Sequence, residues 1–468
     1  MLTLRSLLIT VALLFVRTSA PDLAEGARPV RSGAEAVAAA RKSGSSTDGY
    51  SETSPHWPQI RTMVTDFRTQ YQKPPQRAAE IAWAARHFDY VISGDQSAYK
   101  RVNPSVKCYR YAIFWSVMVP GPKITPSLAS AYYDDMVAWF RAHPQYALED
   151  AFLHQAQTTK APDNRVVTKI WDSRRYMLNP GDPGLRAYQV DRMTRFAADA
   201  DGVFLDEFGS GGIHGAMKGG VLEYPRLATY DHDLTTLLGA AKAALGGRAL
   251  MINTSEYKYA SDFEMILASG AAHLERMNNP LSSAMPERWR WIDSLLARNV
   301  LVELVTLDSW DDAKNPRGVF STYTPGDYSS KSERLKMWEL ASYYMVVPAM
   351  PDHLLLDLQN AWTVPFSSVW LRAEEFDVGH PLGVRRLYRT GRDPVGNNYQ
   401  VWARDFDHAV VLARPTAWWK DQTYGDTTAV SIPLPNGEAL RLLHGDGALG
   451  PPVTSVTLRN AEAAILVK

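Results

Sequence analysis

A short apolar segment that ends in two adjacent carboxylates is the part of this sequence best suited to do chemistry. Val203, Phe204 and Leu205 form a wholly apolar run, which is typical of a parallel strand buried on both faces. Asp206 and Glu207 follow directly, and a glycine-rich segment comes next. A carboxylate at the end of a buried strand is costly unless it has a partner or a chemical task. The pattern therefore predicts acid–base or nucleophilic chemistry by carboxylates.

A second carboxylate, Glu275, closes the apolar segment AAHLE in the same way. Hydrolysis of a glycosidic bond uses two carboxyl groups: one protonates the leaving oxygen, and the other attacks or activates water. We assign Asp206 as nucleophile or charge stabiliser and Glu275 as general acid/base, because a Glu among apolar neighbours can keep a raised pKa and a proton. The alternative is that either carboxylate forms a structural ion pair, for example with Arg276.

Polar and aromatic residues also follow the other predicted strands, and they are candidate contacts for sugar. Acids and amides hydrogen-bond sugar hydroxyls, and an indole offers a flat face for stacking. The acids among them could equally cap helices or turns. The candidate substrate-binding residues are Asp66, Asp95, Trp115, Asn179, Glu207, Asn253, Arg276, Asp308 and Trp310.

Short apolar segments alternate with longer amphipathic ones through most of the chain. This alternation is typical of an α/β protein with a parallel sheet and crossover helices, and about eight repeats predict a closed (β/α)₈ TIM barrel over residues 56–362. The predicted strands are Ile60–Thr65, Tyr90–Ser93, Tyr109–Trp115, Tyr176–Leu178, Val203–Leu205, Ala249–Asn253, Ala271–Leu274 and Leu301–Thr306. The clearest predicted helices are Pro75–His87, Ser127–His143, Gly184–Asp199, Tyr230–Leu245, Glu287–Arg298 and Ser332–Val347.

The two ends of the chain differ from this pattern. Residues 363–468 contain short alternating segments separated by Gly, Pro and Asn turns, which predicts a small antiparallel β-sandwich. Residues 1–20 combine Arg5, the apolar segment Leu7–Val16 and the small-residue sequence Thr18–Ala20, which is typical of a signal peptide. Residues 21–55 are rich in Ala, Gly and Ser and predict a linker. We expect an exported protein, with a retained amino-terminal anchor as the alternative.

Composition and missing motifs exclude several classes of protein. The 50 basic and 50 acidic residues cancel, so no excess charge favours nucleic acid or an anionic membrane. Cys108 is the one cysteine, which excludes an intramolecular disulfide and a thiolate zinc cluster. The patterns HExxH and GxSxG do not occur, and the one GxGxxG match, Gly445–Gly450, lies among the turns of the β-rich tail and not between a predicted strand and a helix. We therefore expect no metal, no cofactor and no stable membrane span after signal cleavage.

Two segments resemble a known group of proteins. RYMLNPGDPGLRAYQVDRM and ADADGVFLDEF are similar to the hypothetical glycosyl hydrolase-like barrel families, which are related to polygalactosaminidase and α-galactosidase barrels. The matching positions are Leu178–Pro180, Arg186 and Asp201–Asp206, and the second acid of the pattern matches Glu275. Asn179 departs from it, because relatives often carry Asp there. The resemblance covers the chain from about residue 60 onward and implies a (β/α)₈ glycosidase of unspecified substrate.

The sequence thus predicts an exported glycoside hydrolase that acts on an oligo- or polysaccharide. The alternative is a non-catalytic carbohydrate-binding or exopolysaccharide-assembly protein on the same barrel. A metal-dependent deacetylase is a weaker third option, since no His–Asp cluster at ligand spacing is visible. If the two carboxylates act as assigned, activity should follow a bell-shaped pH profile with a mildly acidic optimum.

Overall fold

The chain folds around a closed barrel of eight parallel strands, seen in a computed structural model. The structure describes residues 60–93, 95–119, 133–170, 173–254, 260–275, 285–305, 330–348, 352–357, 365–415 and 428–468. The predicted signal peptide, the predicted linker and the boundary between residues 362 and 363 lie outside these ranges.

The described elements follow the predicted alternation of strands and helices. The strands are β1 Arg61–Asp66, β2 Tyr90–Ser93, β3 Lys107–Ala112, β4 Ser116–Met118, β5 Val167–Ile170, β6 Ser173–Met177, β7 Gly202–Leu205, β8 Ala249–Asn253, β9 Gly270–Glu275, β10 Leu301–Val305, β11 Leu354–Asp357, β12 Arg386–Arg392, β13 Asn398–Asp405, β14 Ala409–Arg414, β15 Val430–Pro433, β16 Leu440–Leu443, β17 Leu449–Val453, β18 Ser455–Leu458 and β19 Glu462–Val467. The α-helices are α1 Pro74–His87, α2 Gln96–Val102, α3 Asp135–Ala142, α4 Pro183–Phe196, α5 Ser210–Ala216, α6 Leu227–Ala244, α7 Ala260–Ser269, α8 Met285–Leu296, α9 Ser330–Val346 and α10 Phe366–Val369.

The barrel closes in the order β1-β11-β10-β9-β8-β7-β3-β2. The predicted barrel is thereby confirmed, but one of its eight predicted strands was wrong. Tyr176–Leu178 overlaps β6, which pairs antiparallel with β4 and β5 in a separate three-stranded sheet between β3 and β7. The barrel strand that the sequence analysis did not predict is β11, in which Leu354, Leu355 and Leu356 are buried. Because β11 is only four residues long, with seven residues between it and the end of a long helix, the sequence pattern did not separate it.

Local sequence explains how β7, the strand before Asp206, forms. A side chain at Gly202 would place its Cβ 2.8 Å from the carbonyl oxygen of Ala249 on β8, so only glycine allows this close approach. The helix before β7, α4, begins at Pro183 and is capped by Asp182, which accepts a hydrogen bond from the Leu185 amide at 2.7 Å. At the amino end of β7, Asp201 accepts a hydrogen bond from the Cys108 amide at 2.8 Å. These contacts fix where β7 ends and therefore where Asp206 stands.

Alternate residues of the barrel strands fill the barrel interior, as the pleat of a closed sheet requires. One apolar cluster joins buried side chains from seven of the eight barrel strands. It includes Met63, Tyr109, Phe204, Met251 and Leu355, all of which are buried. This packed floor lies below the strand ends that carry the candidate site.

The carboxy-terminal residues form antiparallel sheets, which confirms the predicted β-module. Its main sheet has six strands in the order β12-β13-β14-β19-β16-β17, and β15 pairs with β18 in a second sheet. Val401, Leu412, Ile432 and Leu466 are buried in one cluster between them. Helix α9 of the barrel packs against β14 and β19, so the module rests on the barrel's outer surface.

Within the described part of the chain, none of the helices is both long and apolar enough to span a bilayer. The glycine-rich segment after Glu207, predicted to be a loop, contains the helix α5. His214 of α5 lies 2.7 Å from a carboxylate oxygen of Asp231.

Candidate active site at the carboxyl ends of the barrel strands

Asp206 follows β7 directly, and three hydrogen-bond donors fix its carboxylate. The Glu207 amide and the Asn253 side-chain amide each donate to Oδ1 at 2.7 Å. The Tyr111 hydroxyl donates to Oδ2 at 2.6 Å. The donors come from three different strand ends, since Tyr111 is on β3 and Asn253 ends β8. The carboxylate is therefore preorganised in one orientation while the residue stays partly exposed.

The neighbouring residue, Glu207, is held by a different set of contacts. Its backbone has φ of 62°, a left-handed conformation that is uncommon for a residue with a side chain and is often found at functional sites. Its carboxylate pairs with both terminal nitrogens of Arg175, which is buried in β6. Its carbonyl accepts a hydrogen bond from the Trp115 indole at 2.8 Å. Arg175 and Trp115 thus hold the turn that follows Asp206.

A lateral row of polar residues crosses four adjacent barrel strands. The register of β7 and β8 aligns Asp206 with Asn253, one step beyond the last paired residues. Asn253 pairs with His273 of β9, and His273 pairs with Glu303 of β10. The strand register therefore aligns a carboxylate, an amide, an imidazole and a second carboxylate across four neighbouring strands.

The far end of this row is a buried cluster of titratable groups. His273 Nδ1 lies 2.5 Å from Glu303 Oε2, and both side chains are buried. Asp357, at the end of β11, is also buried. Burial first, and then the charge and hydrogen bonding of Glu303, raise the pKa of Asp357 well above its usual range. Burial and the neighbouring carboxylate thus both favour the protonated form of Asp357.

Glu275, the predicted general acid/base, is the last residue of β9. β9 is two strands from β7 in the barrel, so the strand axes that carry Glu275 and Asp206 are about 10 Å apart. Glu275 stands two residues beyond His273 and pairs with Val305 of β10. The structure describes its backbone position and not its side chain.

Two of the predicted sugar contacts, Asp66 and Asp95, lie at the ends of β1 and β2 in fully formed local networks. Asp66 is buried and accepts hydrogen bonds from the Thr69 amide at 2.9 Å and from the Tyr99 hydroxyl at 2.8 Å. Asp95 caps α2 through the Ala98 amide at 3.1 Å and pairs with Arg77. These local contacts are sufficient to account for a carboxylate at each of the two positions, without a contact to sugar.

Trp115 and Asn179 are also buried. Trp115 is 3% exposed, which leaves little of its indole for stacking on a sugar. Asn179 accepts a hydrogen bond from the Tyr224 hydroxyl at 2.9 Å and donates to the Asp150 carbonyl at 2.9 Å. Arg186, from the same resembling segment, donates to the Pro180 carbonyl at 2.7 Å. That segment forms a compact connection before α4.

The remaining predicted contacts, Arg276, Asp308 and Trp310, lie outside the described residues. Among the residues that the structure does describe, no group of three or more His, Cys, Asp or Glu side chains could hold a metal ion.

Several residues of the site were missed by the sequence analysis, which examined only the ends of strands. Glu303 is a charge inside the apolar segment LVELV, and His273 is a polar residue inside AAHLE. An ionisable residue in the middle of a buried strand is itself a signal, because it needs a partner. Asp357 was missed with its strand. Tyr111 and Arg175 had no such signal, because their role depends on contacts across the fold.

Comparison with known proteins finds similar structures but no similar sequences. No sequence family and no curated protein matches the chain. Eubacterium rectale Amy13B is similar with a TM-score of 0.47 at 9% identity, over 88% of this chain and 97% of that one. The GH36 α-galactosidase AgaA from Geobacillus stearothermophilus has a TM-score of 0.43 at 10% identity, over 88% and 55%. The glycoside hydrolase domain of PelA from Pseudomonas aeruginosa has a TM-score of 0.32 at 13% identity, over 55% and 88%.

The solved structures to which this chain is similar thus include glycoside hydrolases, as the resemblance in sequence implied. Their TM-scores are below 0.5, and the function proposed below rests on the barrel mouth of this chain.

Proposed function

We propose that this protein is a glycoside hydrolase that cleaves O-glycosidic bonds in a polysaccharide by a two-carboxylate mechanism. The observation that carries the proposal is the carboxylate of Asp206, fixed by three donors at the carboxyl end of a barrel strand. Unlike the buried Asp66, Asp206 stays partly exposed, and its donors are neutral: a hydroxyl, an amide side chain and a backbone amide. This arrangement orients the group without neutralising its charge, as a nucleophile or a charge stabiliser requires.

In the proposed reaction, Glu275 donates a proton to the glycosidic oxygen as the bond from that oxygen to the anomeric carbon breaks. The charge that develops on the sugar is stabilised by Asp206. With the two carboxyl groups close together, Asp206 forms a covalent bond to the anomeric carbon, and a water that gives its proton to Glu275 then breaks that bond; with the groups further apart, Asp206 takes the proton of a water that attacks the anomeric carbon directly. A separation of about 5 Å between them gives retention of configuration, and about 6.5–9.5 Å gives inversion.

The buried cluster of His273, Glu303 and Asp357 supports this reaction from inside the barrel. The raised pKa of Asp357 favours its neutral form, which limits the negative charge buried close to the site. The imidazole of His273 has one nitrogen fixed by Glu303 and lies on the strand that ends in Glu275. The cluster therefore holds β9 and β10 in a fixed register beneath the proposed acid.

The test is a screen for release of reducing ends from a broad panel of bacterial and plant polysaccharides. Wild-type protein is run beside Asp206→Asn and Glu275→Gln, and each variant is first matched to wild type by thermal unfolding. We expect release from at least one polysaccharide, reduced about a thousandfold in both variants. A matched control is Asp95→Asn, since Asp95 ends a barrel strand but is occupied in capping α2.

Two outcomes would contradict the proposal. Binding of a polysaccharide without release, unchanged in the two variants, would indicate a carbohydrate-binding protein on the same barrel. Release that survives in Asp206→Asn would show that a different group does the chemistry.

We also propose that the protein is exported, on the basis of residues 1–20. The test is expression of the full chain with a carboxy-terminal tag in a Gram-negative host, followed by mass measurement of the product. Loss of about 20 residues is expected. A full-length product in the membrane fraction would instead show that the segment is kept as an anchor.

A further inference from the structure

A cavity of about 600 Å³ lies between the barrel and the β-module. It is formed by α8, by the end of α9 and by the start of the β12–β13 hairpin, so it is on the outer helical surface and not at the strand ends near Asp206. Its volume is in the range of small-molecule binding sites. The charged residues in its lining are Arg290, Asp293, Arg385 and Arg404.

The charges of this lining do not balance. Asp293 is paired with Arg385, whose terminal nitrogens lie 2.6 and 3.1 Å from its two oxygens. Arg404 donates to two neutral carbonyls, those of Gly383 at 3.0 Å and Tyr344 at 2.8 Å. These bonds use two of the five N–H donors of a guanidinium group. Within the described part of the chain, no carboxylate forms an ion pair with Arg404.

Arg404 is therefore a buried cation that forms no ion pair of its own within the described residues, since Asp293, the carboxylate whose charge acts on it, is already paired with Arg385. Its residue is 8% exposed. Burial and the nearby charge of Arg385 lower the pKa of Arg404 to about 10, which is the direction expected when a cation lacks compensation. Burying a charge is costly unless it is paired, so the burial of the Arg404 guanidinium calls for an interaction that offsets this cost. An anion that enters the cavity would supply the missing partner.

An aromatic side chain stands beside this cation. Trp402 is two residues before Arg404 on β13, so both project from the same face of the strand, and both line the cavity. Trp402 is only partly buried, and its edge-to-face contact with Trp289 at 6.2 Å holds its ring in place. A fixed indole beside a guanidinium can stack on a sugar ring while the cation binds a carboxylate.

We propose that this cavity is a second saccharide-binding site, specific for a uronic acid unit of an acidic oligosaccharide. The carboxylate of the sugar binds Arg404, and its ring stacks on Trp402; Arg290, which also lines the cavity, is paired with Glu287 at 3.2 Å. The site extends the proposed function, since it would hold an acidic polysaccharide on the enzyme away from the catalytic groups. Its own evidence is independent of Asp206 and Glu275.

The test is titration of the full chain with tetragalacturonate, followed by calorimetry and by tryptophan fluorescence. The methyl ester of the same tetrasaccharide and neutral maltotetraose serve as ligand controls. Arg404→Met keeps the length of the side chain and removes its charge, and Trp402→Phe keeps an aromatic ring of smaller area. Arg298→Gln is the matched protein control, because Arg298 is an exposed arginine just after α8 that does not line the cavity.

We expect tetragalacturonate to bind with at least tenfold higher affinity than its ester or maltotetraose. Arg404→Met should lose at least tenfold in affinity, Trp402→Phe should lose severalfold, and Arg298→Gln should bind like wild type. Asp206→Asn should also bind like wild type, which separates this site from the barrel mouth. The ester comparison needs no variant, so the test holds even if Arg404→Met does not fold.

Three results would overturn the proposal: no binding by wild type, equal binding of acid and ester, or binding that is lost in Asp206→Asn and kept in Arg404→Met. Failure of the proposed hydrolysis is measured separately, by reducing-end release. A protein that binds tetragalacturonate through Arg404 but releases nothing would refute the catalytic proposal and leave this site standing.

Discussion

The hydroxyl of Tyr111 provides a precise test of how the proposed nucleophile is held. Tyr111→Phe removes one oxygen and keeps the ring, which packs against Phe67 at 5.4 Å and Phe204 at 5.8 Å between centroids. The lost bond is the one to Asp206 Oδ2 at 2.6 Å. A hydrogen bond to a charged group contributes about 1.5–3 kcal/mol. Since about 1.4 kcal/mol corresponds to a tenfold change in rate, kcat should fall about 10–100-fold.

The assay is steady-state hydrolysis of a substrate identified in the screen, with KM expected to change little because the bond orients Asp206. Tyr109→Phe is the matched control, since Tyr109 lies two residues earlier on β3 and is similarly buried. We expect Tyr109→Phe to keep a kcat close to that of wild type. An unchanged kcat in Tyr111→Phe would refute the claim that this hydroxyl orients the carboxylate. Equal losses in both variants would attribute the effect to packing.

Three further predictions concern buried charges. Burial raises the pKa of Glu374 from 4.5 to about 8, so the folded state binds this proton more tightly than the unfolded state does. The free energy of unfolding should therefore fall by about 5 kcal/mol as the pH rises from 4.5 to about 8. In urea unfolding, Glu374→Gln should show a flatter pH dependence than wild type. His154 is fully buried, and its two ring nitrogens lie 2.7 and 2.9 Å from two carboxylates. His154→Gln should therefore lower the unfolding free energy by about 3–5 kcal/mol in the same assay, because hydrogen bonds to charged groups contribute about 1.5–3 kcal/mol each. A loss below about 1 kcal/mol would contradict the claim that both contacts stabilise the fold. Arg175→Met leaves Glu207 without its buried partner and should reduce kcat at least tenfold. The control is Arg174→Met, one residue earlier, which should leave kcat unchanged. Equal effects of the two substitutions would refute a specific role for the Arg175–Glu207 ion pair.

The architecture was largely predictable because it depends on patterns that every strand and helix repeats. Seven of the eight predicted barrel strands overlap strands of the barrel, since an apolar run between amphipathic helices is a strong local signal. The error at Tyr176–Leu178 arose because a strand of a small antiparallel sheet has the same local pattern as a short barrel strand. Only pairing with β4 and β5 distinguishes the two, and pairing is a long-range property.

The candidate site was predictable only in its first element. Asp206 was identified because an acid after a buried strand is visible in the sequence. Its donors Tyr111 and Asn253 are 95 and 47 residues away, so their convergence depends on the register of the barrel. His273 and Glu303 are likewise distant in sequence, 30 residues apart, and in direct contact in the fold. Polar residues that are costly to bury can be recognised in the sequence, but which of them come into contact depends on the tertiary structure.

The most direct test of the two-carboxylate account is the ratio of kcat between wild type and Asp206→Asn, measured on the best polysaccharide from the screen and with matched thermal stability. The substitution keeps the shape of the side chain and removes its negative charge. The account predicts a loss of about a thousandfold or more. A loss of less than about tenfold would contradict it, because that is less than about 1.4 kcal/mol of transition-state stabilisation and too small for a nucleophile or charge stabiliser.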